Sequence, residues 1–413
     1  MAAMFDYAPL FKPGLPAPAA KWAGLAKYNF IGGNNDADHV PVDGLIAAST
    51  AALQREGHTL ANYGLAHGPQ GHRPLREFLT HKLKRDAGIA CAAEDILVTS
   101  GSLQAIDLVN GVFLTRGDTA IIEQECYQGS INRLTRLGVD TIGIPLDRDG
   151  MRMDALSNVL DDLKRRSVRA KYIYVIPTVQ NPTGTIMPEA RRAELLKLSE
   201  AHGVPVFEDD CYADLIWDGN RPPAIYAMSS NRGVVHVGSF SKSIAPALRV
   251  GYIVAGWDIL SRALSIKTDA GSGALEQMVL AEYCAPHFAT HVTELTRVLR
   301  RKLDTLMEAL NEQFGTAAEF EVPKGGIFLW VKLPDNVDTM KLYQSALKAG
   351  VAINPGPEWS VDKACSTSRL RICFASPTLD EIREGIAILA DVCRNEFGVP
   401  TRSANVTRAA GSS

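Results

Sequence analysis

Four short stretches hold the side chains best suited to covalent chemistry. "SFSKSIAPALRVGY" (239–252) sets Lys242 between serines, with Ser239 and Ser241 before it and Arg249 after it. "FEDDCYADL" (207–215) places Asp209 in a run of acids and Tyr212 just beyond. "PTVQNPTG" (177–184) offers Asn181 at an Asn-Pro turn. "TSGSLQAIDL" (99–108) is a Gly-Ser turn opening a helix, where the free N–H groups of Gly101, Ser102 and Leu103 can cradle an anion. Singly, each has an ordinary explanation: a surface lysine, solvated acids, a turn, an N-cap serine. Jointly they supply an amine, a carboxylate with a phenol, a neutral amide donor and an anion cradle with an arginine.

Elements must bring these together. Each stretch follows or borders an apolar run: Ile96–Thr99, Lys171–Ile176, Val204–Glu208, Val234–Gly238 and Val250–Ala255, with Thr119–Glu123 and Thr141–Pro145 between them. Most are continuous rather than alternating, as strands buried on both faces must be. Helical patterns fall between several; Pro188–Ala201 opens on proline, carries Glu189 in its first turn and stops at Gly203. This βαβ rhythm predicts a mostly parallel sheet wrapped in helices, an α/β class whose strand ends border one crevice.

The pattern changes near residue 286. "HVTELTRVLRRKLDTLMEALNEQF" reads as a long amphipathic helix, followed by "GGIFLWVKL", "VAINPG" and "RLRICFA" with helices at Thr339–Ala349 and Leu379–Arg394. The expected organisation is an N-terminal arm and small-domain segment (1–40), a large α/β domain (41–285), a small α+β domain (286–397) and a flexible tail (398–413), with the boundary at Ala285–Pro286.

Composition excludes several classes. The 413 residues are 46% hydrophobic and 22% charged with a net charge of -3, so no bulk field favours nucleic acid or an acidic membrane. Seven scattered cysteines with no CxxC argue for free thiols in a reducing compartment, against a disulfide framework or a zinc site. The start, "MAAMFDYAPLFKPG", has no apolar core of a signal peptide, and no run reaches membrane-spanning length. A cytoplasmic protein with no membrane, nucleic-acid or metal partner is expected.

The combined groups suit a phosphorylated aromatic aldehyde, pyridoxal phosphate (PLP). Lys242 would form a Schiff base, and Asp209 would keep the ring nitrogen protonated. Tyr212 and Asn181 would bond the ring hydroxyl, while the cradle, Ser239 and Arg249 would hold the phosphate.

From about Asn29 to Phe397 the chain resembles a fold-type I, class I/II aminotransferase. The branch is the one holding 2-aminoadipate, aromatic and branched-chain aminotransferases and regulator-fused aminotransferase-like domains. The marks are "NYGLAHGPQGHRPLREFL", "TSGSLQAIDL", "NPTG", "EDDCY", "SFSKSIAPALRVGY" and "RLRICFA", in the family's order. The resemblance implies a mostly parallel seven-stranded sheet flanked by helices, a smaller C-terminal domain, PLP as cofactor, and a homodimer with shared active sites. It makes Lys242 the Schiff-base lysine and proton carrier, Asp209 the pyridinium partner, and Tyr212 and Asn181 the pair on the ring oxygen. Tyr127 would stack on the ring. Ser102, Leu103, Ser239 and Arg249, with Ser241 beside them, would form the phosphate side. Arg371 would clamp the substrate α-carboxylate in a two-point fork. Gly33 would lie near the substrate, and Tyr63 would reach the partner subunit's phosphate.

Two departures stand out. Asn35, in "GGNND", replaces the family's proline next to Gly33, and "HGPQGHR" (67–73) lengthens the segment after Tyr63. Both are expected to border the substrate pocket. The implied reaction moves an amino group between an L-amino acid and a 2-oxo acid. A PLP-dependent lyase, oxidase or biosynthetic synthase would need the same lysine. A regulatory module that binds PLP without turnover would need a DNA-binding domain ahead of this fold, for which the arm is short and not basic.

Overall fold

The computed structural model describes residues 5–400 apart from Ala23, Gly64, Gly219 and Asn231. All seven expected apolar runs form strands of one sheet: β1 (Ile96–Thr99), β2 (Thr119–Glu123), β3 (Asp140–Ile144), β4 (Ala170–Val175), β5 (Val206–Asp209), β6 (Val234–Ser239) and β7 (Gly251–Val254). Their spatial order is β1-β7-β6-β5-β4-β2-β3. Every residue of β1, β2, β5, β6 and β7 is buried, which is why these runs lack polar alternation. β3 is one of the two edge strands, and its first residue, Asp140, is exposed.

The pairings from β6 through β5, β4 and β2 to β3 are parallel. β7 runs antiparallel to both β6 and β1. That reversal matters for the site. The start of β7, preceded by Arg249, lies at the edge where β1 and β6 end, with Gly251 opposite both Thr99 and Ser239. Only glycine fits there: a Cβ at Gly251 would come 2.6 Å from the Ser102 backbone nitrogen.

The helix expected at Pro188–Ala201 runs Glu189–His202, with Pro188 as its N-cap and Gly203 closing it at φ +63°. In the C-terminal part, β8 (Phe328–Lys332), β9 (Asn354–Pro355) and β10 (Arg369–Cys373) form a sheet in the order β8-β10-β9. The Leu379–Phe397 helix starts with a capping box between Thr378 and Glu381. Tyr28 and Asn29 pair in parallel with Val351 and Ala352, and Tyr28 and Phe30 join the apolar cluster of this part.

The long helix is longer than its sequence pattern predicts. It spans Ala274–Phe314, 41 residues, with Pro286 inside it. The boundary expected at Ala285–Pro286 therefore falls within a continuous helix. Packing on both sides accounts for this. Val279, Leu280, Cys284 and Phe288 pack with Leu79 and Phe240 of the large part. Leu295, Leu299, Leu303 and Leu306 pack with the C-terminal cluster. Tertiary burial along both halves outweighs a proline cost of about 3 kcal/mol.

Among the described residues no helix is long and apolar enough to cross a membrane. The expected flexible tail falls almost wholly on residues 401–413, outside the described residues.

Candidate functional site

A cavity of about 350 Å³ lies between the edge where β1, β4, β5 and β6 end and the C-terminal part. Of the residues singled out in the sequence, Gly33, Ser102, Leu103, Tyr127, Asn181, Asp209, Tyr212, Ser241, Lys242, Arg249 and Arg371 line it. Ser239 is buried just behind, and its Oγ accepts a hydrogen bond from the Ser241 backbone N–H at 3.0 Å. Tyr63 lies elsewhere, 78% exposed, beside a separate cavity of about 230 Å³.

Lys242 follows β6 by three residues and points into the cavity, where Nζ donates to the Gly33 carbonyl at 2.6 Å. A Cβ on Gly33 would sit 2.4 Å from that nitrogen, so a larger residue there would displace the lysine from this position. Burial, with help from the Arg371 and Arg249 charges, pushes the Lys242 pKa down, toward a neutral amine.

Asp209 ends β5. Its Oδ2 accepts from the Tyr174 hydroxyl at 2.6 Å, while the buried Oδ1 has no partner. Burial raises its pKa above the usual carboxylate range. The neighbouring acids are engaged elsewhere. Glu208 accepts from the Ile225 and Tyr226 backbone N–H groups at 2.7 and 3.1 Å and contacts His236 at 2.9 Å. Asp210 pairs with Arg221 at 2.5 Å.

Arg371, in β10, is 2% exposed. Its Nη2 donates to the Gly32 carbonyl at 2.5 Å and its Nη1 to Asn181 Oδ1 at 3.2 Å. Asn181 Nδ2 in turn donates to the Tyr212 hydroxyl at 3.3 Å. The guanidinium lies 3.9 Å from the Trp359 ring centroid. Its Nε is buried without a partner. Arg369, nearby on the same strand, lines a different cavity.

On the other side, Arg249 occupies the left-handed region at φ +54° and donates to the Ser100 carbonyl at 3.3 Å. Gly101, at φ +77°, leaves the space: a Cβ there would clash with Arg249 Nη2. An arginine thus lies against the start of the Ser102–Phe113 helix, whose first N–H groups favour an anion.

Trp359, Asn354 and Gln128 also line the cavity and were not singled out in the sequence. Trp359 sits in the "NPGPEWS" loop, and no local pattern ties it to Arg371. Both departures end up away from the cavity wall within this chain, contrary to expectation. Asn35 is buried, its Nδ2 donating to the Ile244 carbonyl at 3.2 Å, so it braces the loop after Lys242. The 67–73 segment is held against the long helix, with the His72 backbone N–H donating to Gln277 Oε1 at 2.8 Å, and His67 and His72 line the separate 230 Å³ cavity.

Comparison with known proteins agrees with this geometry. The description "Aminotransferase class I and II" belongs to a family model that matches residues 27–389. The 2-aminoadipate transaminase of Thermus thermophilus is 32% identical over 364 residues, covering 87% of each chain. The multiple substrate aminotransferase of Thermococcus profundus superposes with a TM-score of 0.87 at 27% identity, over 95% of this chain and 100% of that one. The uncharacterized HTH-type transcriptional regulator YdfD of Bacillus subtilis is 33% identical over 321 residues, 77% of this chain; the chain spans 65% of that regulator's length. The chain belongs to the aminotransferase class I and II family, and its fold is that of the fold-type I PLP-dependent aminotransferases.

Proposed function

We propose that this chain binds PLP on Lys242 and moves an amino group between an L-amino acid and a 2-oxo acid. The observation that carries the reading is the buried Asp209 Oδ1, unpartnered and lining the same cavity as Lys242. A buried carboxylate without a cation is costly unless something protonated comes to meet it. A pyridinium N–H is such a group, and the cavity fits the rest of the cofactor. Lys242 is an amine with a lowered pKa, and Arg249 at a helix start suits a phosphate.

When bound, PLP supplies a protonated ring that delocalises the electron pair left on a substrate Cα. Lys242 would attach the cofactor and, as a buried amine with a lowered pKa, would carry the substrate Cα proton as general base and acid. Asp209 would hold the proton on the ring nitrogen. Tyr212 and Asn181 would bond the ring oxygen, and Tyr127 would cover the ring. Ser102, Leu103, Ser239, Ser241 and Arg249 would hold the phosphate. Arg371 turns its guanidinium edge to the substrate carboxylate, with Trp359 excluding water from that pair. Gly33 leaves room for Lys242 to swing.

The chain acts as a cytoplasmic homodimer in this reading, with Tyr63 serving the partner subunit's phosphate. Its partners are small molecules, not nucleic acid or membrane; the net charge of -3 and the free thiols support this. The test is a two-substrate spectrophotometric assay. Amino acid alone should convert the bound cofactor to its amine form, and added 2-oxo acid should restore it. A cofactor that turns over without that restoration points to a lyase, oxidase or synthase.

A further inference from the structure

The 67–73 segment, which the reaction above leaves unused, meets the end of another helix. Glu56 is the last residue of the Val42–Glu56 helix, His67 closes a short turn at Leu65–His67, and His72 is the N-cap of the Arg73–Ala87 helix. Their donor atoms converge. Glu56 Oε2 lies 3.5 Å from His67 Nε2 and 3.4 Å from His72 Nε2, and all three atoms lie within 4.8 Å of one another. A tetrahedral ion with bonds of about 2.0–2.2 Å sets its donor atoms about 3.3–3.6 Å apart. Both Glu–His separations fall in that range.

The surroundings hold these atoms as a ligand set. Arg55 Nη2 donates to Glu56 Oε1 at 2.8 Å, which orients the carboxylate and leaves Oε2 to the histidines. Arg76 clamps the intervening loop by donating to the His67 carbonyl at 3.0 Å and the Gly71 carbonyl at 3.1 Å. His72 is 4% exposed and its Nδ1 has no partner, so Glu56 alone holds that ring by a polar contact. The 230 Å³ cavity lined by both histidines gives an ion access and leaves room for water.

We propose that Glu56, His67 and His72 bind one divalent ion of the zinc type, with water as the fourth ligand. No cysteine takes part, so the cysteine pattern of the sequence is silent about it. The ion ties the end of one helix to the start of the next and fixes the loop between them, the loop that also carries Tyr63.

The experiment uses the cofactor-loaded protein, dialysed against a chelator and titrated with Co²⁺. Expected is one equivalent per chain with the intense visible absorption of tetrahedral cobalt. His67→Asn and His72→Gln should each weaken binding at least about 100-fold, and Zn²⁺ should raise the melting temperature of wild type but not of the variants. Because all the thiols remain in both variants, cobalt bound by cysteine cancels in the comparison. His67 is partly exposed, so His67→Asn decides the matter even where His72→Gln fails to fold. Equal cobalt binding by wild type and His67→Asn, or no binding by wild type at micromolar cobalt, overturns the proposal.

Discussion

The tip of β5 carries three buried acids in a row, and they serve two regions of opposite character. Asp209 faces the cavity and takes part in none of the ion pairs among the described residues; its Oδ2 accepts from the neutral Tyr174 hydroxyl. Glu208 and Asp210 lie outside the cavity lining, in a network with His236 and Arg221. Burial alone would raise the pKa of all such groups. For Asp210 that push is outweighed by Arg221 and its pKa falls, whereas for Asp209 burial prevails and it rises. The difference teaches where to look for function: not at the buried charge as such, but at the buried charge whose partner must come from outside. Substitutions on the cavity side should therefore cost activity and spare the fold. Those on the network side should do the reverse.

The largest effect belongs to Lys242. Lys242→Ala should reduce transamination on the order of 10⁴-fold or more, since attachment and proton transfer both fail. Borohydride reduction of wild type followed by peptide mapping should label Lys242; a label on a different lysine would place the chemistry outside this cavity, whose lining holds no other lysine. Next comes the direct contrast. Asp209→Ala should slow the amino-acid half-reaction on the order of 10³-fold, about 4 kcal/mol, with the melting temperature little changed. Asp210→Asn should lose about 1–3 kcal/mol of stability by leaving Arg221 only its 3.9 Å contact with Asp214, while retaining most of the half-reaction rate. If Asp210→Asn were the inactive variant and Asp209→Ala the unstable one, the two regions would have to be exchanged.

Arg371→Ala sharpens the contrast within the cavity. Losing a buried, two-point charged contact costs about 2–5 kcal/mol, or roughly 30- to several-thousand-fold in amino-acid affinity, with the spectrum of the bound cofactor nearly intact. Unchanged saturation by amino acid would remove Arg371 from substrate binding. The smallest signal concerns Tyr63, which does not line its own chain's cavity. Coexpressing Lys242→Ala and Tyr63→Ala chains should give a mixed dimer in which one site is whole, with up to about half of wild-type activity if the sites act independently. A purified mixed dimer no more active than either parent would mean that Tyr63 serves no neighbour.

Much of this was readable along the chain because the relevant signals are local. Continuous apolar runs marked the seven strands to within a residue or two, since strands buried on both faces have no use for polar positions. The residues just past those runs were readable as site candidates because parallel strands end on one edge. The long helix was read short, because Pro286 is a strong local stop whose cost only packing on two clusters can offset.

By itself, then, the sequence determined the strands, the polar groups at their ends and the family to which they belong. Tertiary structure decided the rest. The antiparallel turn of β7 brought Arg249 to the edge where the other strands end. The fold also seated Trp359 against Arg371 from a distant loop, and sent Asn35 and the 67–73 segment to brace other elements. The physical reason is range. Strand and turn preferences act over a few neighbouring residues, whereas a stacking partner or a trio of donor atoms is set by contacts between segments far apart in the chain, which no local pattern encodes.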